Sequence, residues 1–213
     1  PDNEIHSIQI DNLGNKWIGT YSGGIAMFDD VNWTVFYTAN SNLNYNWVTD
    51  IEIDSSNNIW IIVKESPPAP GKTIMFKFDG LSWINMSSGI QDDYFNDIAI
   101  DSENNIWVSS GYSINMFDGI TRTNYNQSNS NLIQAAHYSI AIDKNNNKWI
   151  GSLHEGFTGS YIVKFDGSDF TTVSSLEHIS PRDILVDEQN NKWVGDHKLF
   201  KYDNTNWEEI DGK

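Results

Sequence analysis

The chain has no cysteine among its 213 residues, so thiol usage points to neither a reducing nor an oxidising compartment. No apolar run approaches the ~18 residues a membrane span needs, and no signal peptide is visible. Basic residues are scarce: 13 Lys and Arg stand against 29 Asp and Glu, giving a formal charge of −16. Nucleic acid and anionic membrane surfaces repel such a chain, which argues against both as partners, and the charge is that of a solvated surface. Helical periodicity is missing throughout. So are a nucleophile elbow, a zinc signature and a phosphate loop. The numbering opens on Pro1 without a Met, as expected of a processed or trimmed chain. Asn-X-Ser/Thr occurs at Asn32, Asn85 and Asn126, as chance allows in so Asn-rich a sequence.

What the chain does have is one stretch written five times. Asp143-Lys-Asn-Asn-Asn-Lys-Trp-Ile-Gly151 recurs as Asp11 to Gly19, Asp54 to Ile62, Asp101 to Ser109 and Asp187 to Gly195. Two aliphatic residues flank one position just before each Asp, as in Ile51-Glu52-Ile53 and Ile140-Ala141-Ile142. Such alternation makes a strand with one buried face. The Asp can accept backbone N–H bonds in a turn, and Gly14, Asn57, Asn104, Asn146 and Asn190 are residue types that tolerate a left-handed conformation. The D-x-x-x-N spacing resembles a calcium loop only superficially. It lacks the run of carboxylates and the closing Glu, so turn capping accounts for the Asp.

The repeat Trp residues stand at 17, 60, 107, 149 and 193, at spacings of 43, 47, 42 and 44. Repeats of ~40–50 residues carrying several strands are the signature of propeller blades. In the first repeat the strands are expected at Glu4 to Ile10, Lys16 to Thr20, Gly24 to Asp29 and Trp33 to Tyr37. A second turn signal joins the last two strands: Phe28-Asp29, Phe78-Asp79-Gly80, Phe117-Asp118-Gly119, Phe165-Asp166-Gly167 and Tyr202-Asp203-Asn204. A four-stranded sheet cannot cover its own apolar face, so neighbours must stack. The expectation is an all-β, five-bladed β-propeller with four antiparallel strands per blade. It forms a single domain over 1–213, with repeats at about 4–46, 47–93, 94–135, 136–179 and 180–213. Its first and last blades should meet by face packing, as a monomer; a piece of a longer propeller would instead leave an open edge that favours dimerisation.

The run Gly14-Asn15-Lys16-Trp17-Ile18-Gly19-Thr20, followed by Gly23-Gly24-Ile25 and Phe28-Asp29, resembles the two-component regulator propeller repeat. In that repeat G-x-x-W-x-G-T precedes G-G-[LI] and an aromatic-Asp pair. The resemblance covers essentially all 213 residues. It implies blade identity and an extracytoplasmic setting, because such repeats occur in periplasmic sensor parts of hybrid histidine kinases and in secreted or surface bacterial proteins. Those sensors usually carry an immunoglobulin-like module, a membrane span and a kinase, and larger propellers than five repeats.

Calling the four strands of each repeat A to D, the A–B and C–D turns are short and uniform. The B–C loops (64–73 and 153–160 above all) and the D–A connections vary, and variable loops on a rigid frame are where binding usually resides. All five histidines, His6, His137, His154, His178 and His197, are expected in those segments, on one face. Trp47 is the one Trp out of register, expected in the D–A loop beside Tyr45. It either lids the blade below or offers a stacking platform. Tyr45, Trp47, Tyr94, Tyr138, His154 and Phe157 are the candidate ligand contacts. Asp50, Asp97 and Asp183 recur four residues before the repeat Asp, facing the mouth of the propeller tunnel. They can hold a cation or ligand hydroxyls, or bond backbone N–H groups of the adjoining blade.

Three functions follow as expectations. The first is a non-catalytic binding module, secreted or periplasmic, holding a glycan, peptide or protein on the B–C/D–A face without cofactor or metal. The second is a lyase or hydrolase using His137, His154, Glu155, His178 and Arg182 as acid–base groups. Some seven-bladed lyases use a His and a Glu there, but nothing in this chain matches them residue by residue, and no motif with catalytic spacing supports an enzyme. The third is a sensor portion, or a plain spacer, of a larger envelope protein.

Overall fold

Each repeat Asp closes its turn with both carboxylate oxygens. In the first repeat Asp11 Oδ1 accepts from the N–H groups of Leu13 and Asn15, both at 2.9 Å. Its Oδ2 accepts from Asn15 Nδ2 at 2.8 Å and from Trp17 Nε1 at 3.0 Å. Asp54, Asp101, Asp143 and Asp187 repeat the pattern, each receiving the indole N–H of its own Trp. The residue between is left-handed as its chemistry allows, with φ of 86° at Gly14 and 64° at both Asn57 and Asn146. Burial pushes the carboxyls of Asp101 and Asp143 up, but the bonds they accept outweigh it and leave them below the usual carboxylate range.

These turns build twenty strands in the computed structural model, which describes residues 2–67, 71–88, 90, 94–154, 159–176, 180–195 and 198–210. The first repeat forms β1 (Ile5–Ile10), β2 (Lys16–Thr20), β3 (Ile25–Phe28) and β4 (Trp33–Phe36). The second forms β5 (Trp47–Ile53), β6 (Ile59–Lys64), β7 (Thr73–Phe78) and β8 (Trp83–Asn85). Then come β9 (Phe95–Ile100), β10 (Ile106–Ser110), β11 (Ser113–Phe117) and β12 (Arg122–Tyr125). The fourth repeat gives β13 (Ala136–Ile142), β14 (Lys148–Leu153), β15 (Ser160–Phe165) and β16 (Phe170–Leu176). The fifth gives β17 (Asp183–Val186), β18 (Lys192–Gly195), β19 (Leu199–Tyr202) and β20 (Trp207–Ile210). Each group of four consecutive strands is one antiparallel sheet, paired in sequence order. No helix occurs among the described residues, so none is long and apolar enough to cross a membrane. The all-β expectation, the blade count and the four strands per blade are what the structure has.

The chain divides into two compact units, Pro1–Ile100 and Asp101–Lys213. In the first, Trp17 and Ile25 pack with Val48, Ile51, Ile61 and Phe76, so the first sheet lays its Trp face on the aliphatic face of the second. In the second unit Trp149 and Ile162 meet Ile184 and Val194 in the same way. Full burial of a Leu- or Ile-sized side chain contributes roughly 1.5–3 kcal/mol, so stacking faces are what hold the repeats.

The first strand of a repeat carries a bulge next to its polar position, as the pairing shifts show between Ile5 and Ser7, Val48 and Asp50, and His137 and Ser139. A bulge re-aims the side chains beside it. Two sequence expectations are corrected here. Trp47 is not in a loop: it is the first residue of β5, paired with Lys64. His137 is not a loop residue either, since it sits within β13, whereas His6 lies in β1, inside the strand expected from Glu4 to Ile10. In β5 and β13 extended backbone continues further back than the repeat turns alone announce.

Candidate functional site

The second repeat has the long 64–73 connection between β6 and β7, and the base of that loop is clamped where Glu65 N donates to Lys72 O at 2.8 Å. Gly71 turns the chain there with a φ of 82°, a conformation that favours glycine. Beyond β8, Ser87 Oγ accepts from Met75 N at 2.8 Å and holds the outgoing chain against β7. The Phe95 N–H donates to Thr73 Oγ1, which fixes the start of β9 beside the same loop.

These three connections border an open cavity of about 460 Å³, lined by Tyr45, Lys72, Thr73, Ile74, Asn85, Ser87, Ser88, Ile90 and Phe95. It is well within the size range of small-ligand sites, ~300–1,000 Å³. Two aromatic rings, three hydroxyl side chains, one carboxamide and one ammonium converge on it. Tyr45 is half-buried, and its hydroxyl bonds Glu65; burial first, and then the Glu65 charge and that bond, raise its pKa against the opposing pull of Lys72. The Tyr45 phenol on the wall thus feels a carboxylate and an ammonium of opposite effect, from Glu65 and Lys72. Tyr45 and the 64–73 loop were legible as candidates in the sequence; Glu65, Thr73, Ser87 and Phe95 were not singled out, because only the sheet register brings them together.

Trp47 is a neighbour of this site rather than its floor. Its ring packs 4.8 Å from Tyr21 and 5.8 Å from His6, and Lys64 Nζ lies 4.9 Å over it. The indole N–H is buried and has no partner among the described residues. Tyr94 is exposed at the head of β9. In the other unit the half-buried Tyr138 has the Arg182 guanidinium 5.9 Å over its ring. His154 is exposed, with its ring 6.4 Å from that of Tyr161. His137 is fully buried, its Nδ1 2.8 Å from Ser152 Oγ on the paired strand. That burial corrects the expectation of a solvent-facing acid–base group at 137. Glu155, Phe157, His178 and His197 lie outside the described residues.

Two of the positions expected at the tunnel mouth make backbone bonds. Asp50 Oδ2 accepts from Ile98 N at 2.9 Å and Oδ1 from Ile51 N at 2.8 Å, tying the second repeat to the start of the third. Ser139, at the same place in the fourth repeat, donates to Pro181 O at 2.9 Å. Asp97 is partly buried and Asp183 exposed. Two residues beyond Asp50, Glu52 is in an unusual setting: burial, and then the Asp50 charge, push its carboxyl up to about 8. Gln9 Nε2 reaches its Oε1 at 3.4 Å. Among the described residues no three His, Cys, Asp or Glu side chains are grouped to hold a metal ion.

No family model matches the chain, and no curated protein matches it either. Solved structures do. The extracellular domain of the putative hybrid two-component system BT4673 from B. thetaiotaomicron has a TM-score of 0.68 at 15% identity, over 91% of this chain and 26% of that one. PorZ, a bacterial surface component of the type-IX secretion system of Porphyromonas gingivalis, has 0.66 at 18% identity, over 93% and 32%. Virginiamycin B lyase from Staphylococcus aureus has 0.57 at 14% identity, over 97% and 84%. The chain therefore spans between a quarter and a third of the first two. At such identities the likeness speaks for the fold. The repeat turns, the sheet order and these matches agree, and the chain is a β-propeller similar to those in the extracellular domains of hybrid two-component systems.

Proposed function

We propose that the chain is a non-catalytic, extracytoplasmic binding module whose ligand is a glycan seated in the cavity beside Tyr45. One observation carries this reading: aromatic surface from Tyr45 and Phe95 lines the same 460 Å³ space as the hydroxyls of Thr73, Ser87 and Ser88 and the amide of Asn85. A sugar ring has an apolar face for the aromatics and equatorial hydroxyls for the polar groups. The setting is supported by similar folds described as extracellular domains and a bacterial surface component. The lyase or hydrolase reading loses ground, because His137 is sealed in a sheet.

The test is a glycan-array screen followed by calorimetry on the best hit. Asn85 and Ser88 are exposed, so Asn85→Ala and Ser88→Trp leave the core intact while removing a polar contact and filling the cavity. Each should weaken binding at least ~10-fold, about 1.4 kcal/mol. Undiminished binding in both variants assigns the ligand elsewhere and sinks the cavity reading.

A further inference from the structure

Backbone N–H groups take up acceptors on the wall of the Tyr45 cavity and leave its donors. Ser87 N donates to Asn85 Oδ1 at 2.9 Å, so the Asn85 side chain presents its NH2, which has no acceptor among the described residues. Met75 N donates to Ser87 Oγ at 2.8 Å, and the Ser87 hydroxyl hydrogen has no acceptor among the described residues either. A hydroxyl engaged in this way keeps one hydrogen to give, and a carboxamide keeps two. The repeat frame does not call on these groups. Polar rungs tie successive repeats elsewhere, from the N–H after one turn Asp to the left-handed Asn of the next repeat: Asn12 to Asn57 at 2.8 Å, Ser102 to Asn146 at 3.1 Å and Lys144 to Asn190 at 2.9 Å. In register with Asn85 the first repeat has Val35 and the fourth Thr172, neither of them a carboxamide.

Lys72 adds a cation to the same wall. It is exposed, and it is the one charged side chain among the described lining residues. Its backbone is fixed where Lys72 O accepts from Glu65 N at 2.8 Å. Its ammonium is near enough to Tyr45 to act on the phenol, whereas Glu65, which bonds the Tyr45 hydroxyl, is not among the described lining residues. An ammonium has three donors and no acceptor. The chain as a whole carries a formal charge of −16 and on balance repels anions. A wall whose described charge is positive runs against that field.

We propose, on the glycan reading of this cavity, that the sugar it holds is acidic: its carboxylate or sulfate pairs with Lys72, and neighbouring acceptor oxygens take the Asn85 amide and the Ser87 hydroxyl. The donor bias selects for this chemistry. Each hydroxyl of a neutral sugar brings a hydrogen that needs an acceptor in return, and the Asn85 and Ser87 oxygens are already engaged. A carboxylate or a sulfate ester only accepts, and its bonds to an ammonium are charge-assisted.

An array of matched pairs tests this, with calorimetry on the best pair. Oligomers of galacturonate, glucuronate and mannuronate are each set beside their carboxyl-reduced forms, and sulfated galactan oligomers beside their desulfated forms. The acidic member of the best pair should bind at least about 10-fold tighter than its neutral partner, and whether that pair is a uronate or a sulfate identifies the anion. Lys72→Met, at an exposed position, should bring the acidic member down to the affinity of the neutral one, and Lys72→Arg should keep the preference. Ser88→Trp should weaken both members alike. Equal binding within every pair, with Ser88→Trp still weakening both, overturns the acidic assignment and leaves the cavity as a seat for neutral glycans. A preference that survives Lys72→Met overturns it too, because the anion is then read elsewhere. Binding that Ser88→Trp leaves undiminished, or no binding by any member, overturns the cavity reading and this proposal together.

Discussion

Lys192 places its ammonium 3.2 Å from Asp143 Oδ2 and 4.5 Å over the ring of Trp149, in full burial. The same nitrogen donates to Asn190 O at 2.9 Å and to Asn204 Oδ1. Lys148 repeats the arrangement on Asp101 and Trp107. A lysine is tolerable there because an acceptor-rich turn surrounds it. In the second and third repeats the same register position is Ile59 and Ile106, both buried.

That comparison sets up a stability test. Lys192→Ala removes the cation, leaves Asp143 buried beside a void, and should cost about 3–5 kcal/mol in urea unfolding at neutral pH. Lys192→Ile refills the space with the residue type that other repeats already accept, and should cost roughly 1–2 kcal/mol. Equal losses for the two would mean that the charge, not the packing, is what the position needs.

Glu52 gives a pH signature of its own. Burial and the Asp50 charge raise its folded-state pKa to about 8 from an ordinary 4.5. Its contribution to stability is therefore complete below the ordinary value and is lost as pH rises from 4.5 to about 8. Glu52→Gln keeps the shape without the charge. It should leave the urea midpoint unchanged at pH 4 and raise stability at pH 8 by on the order of 1–3 kcal/mol. A stability–pH profile that keeps the same slope in the variant would assign that limb to another group.

Trp47 is expected to act as packing. Its indole N–H has no partner among the described residues, so Trp47→Phe forgoes no hydrogen bond and should shift stability by about 1 kcal/mol or less. Trp47→Ala empties the space between Tyr21, His6 and Lys64 and should cost about 2–4 kcal/mol. Urea unfolding followed by fluorescence reads both; a larger loss for Phe than for Ala would contradict the packing role.

The frame was legible in the sequence because it is written five times. The turn Asp, the left-handed Asn or Gly and the strand that starts at Trp all follow from local chemistry, and first-repeat strand ends agree to within a residue. The indole bond to the turn carboxylate was not legible, since it needs the distance between Trp17 Nε1 and Asp11 Oδ2. The cavity was only half legible. Variable loops announced the 64–73 and 87–96 segments, but Phe95 reaches Thr73 through sheet register that no spacing in the sequence states. Trp47 and His137 misled for the opposite reason: each was read as a loop residue, and the bulged first strand absorbs both.

The rungs between repeats carry a consequence for how such a chain changes over time. Asn12 to Asn57, Ser102 to Asn146 and Lys144 to Asn190 are one bond made again and again between successive units. Excising or duplicating a whole unit thus removes or adds a junction and leaves the chemistry of every other junction as it was. Each added or removed repeat then brings or takes away its own rung. Loops such as 64–73 then diverge one unit at a time.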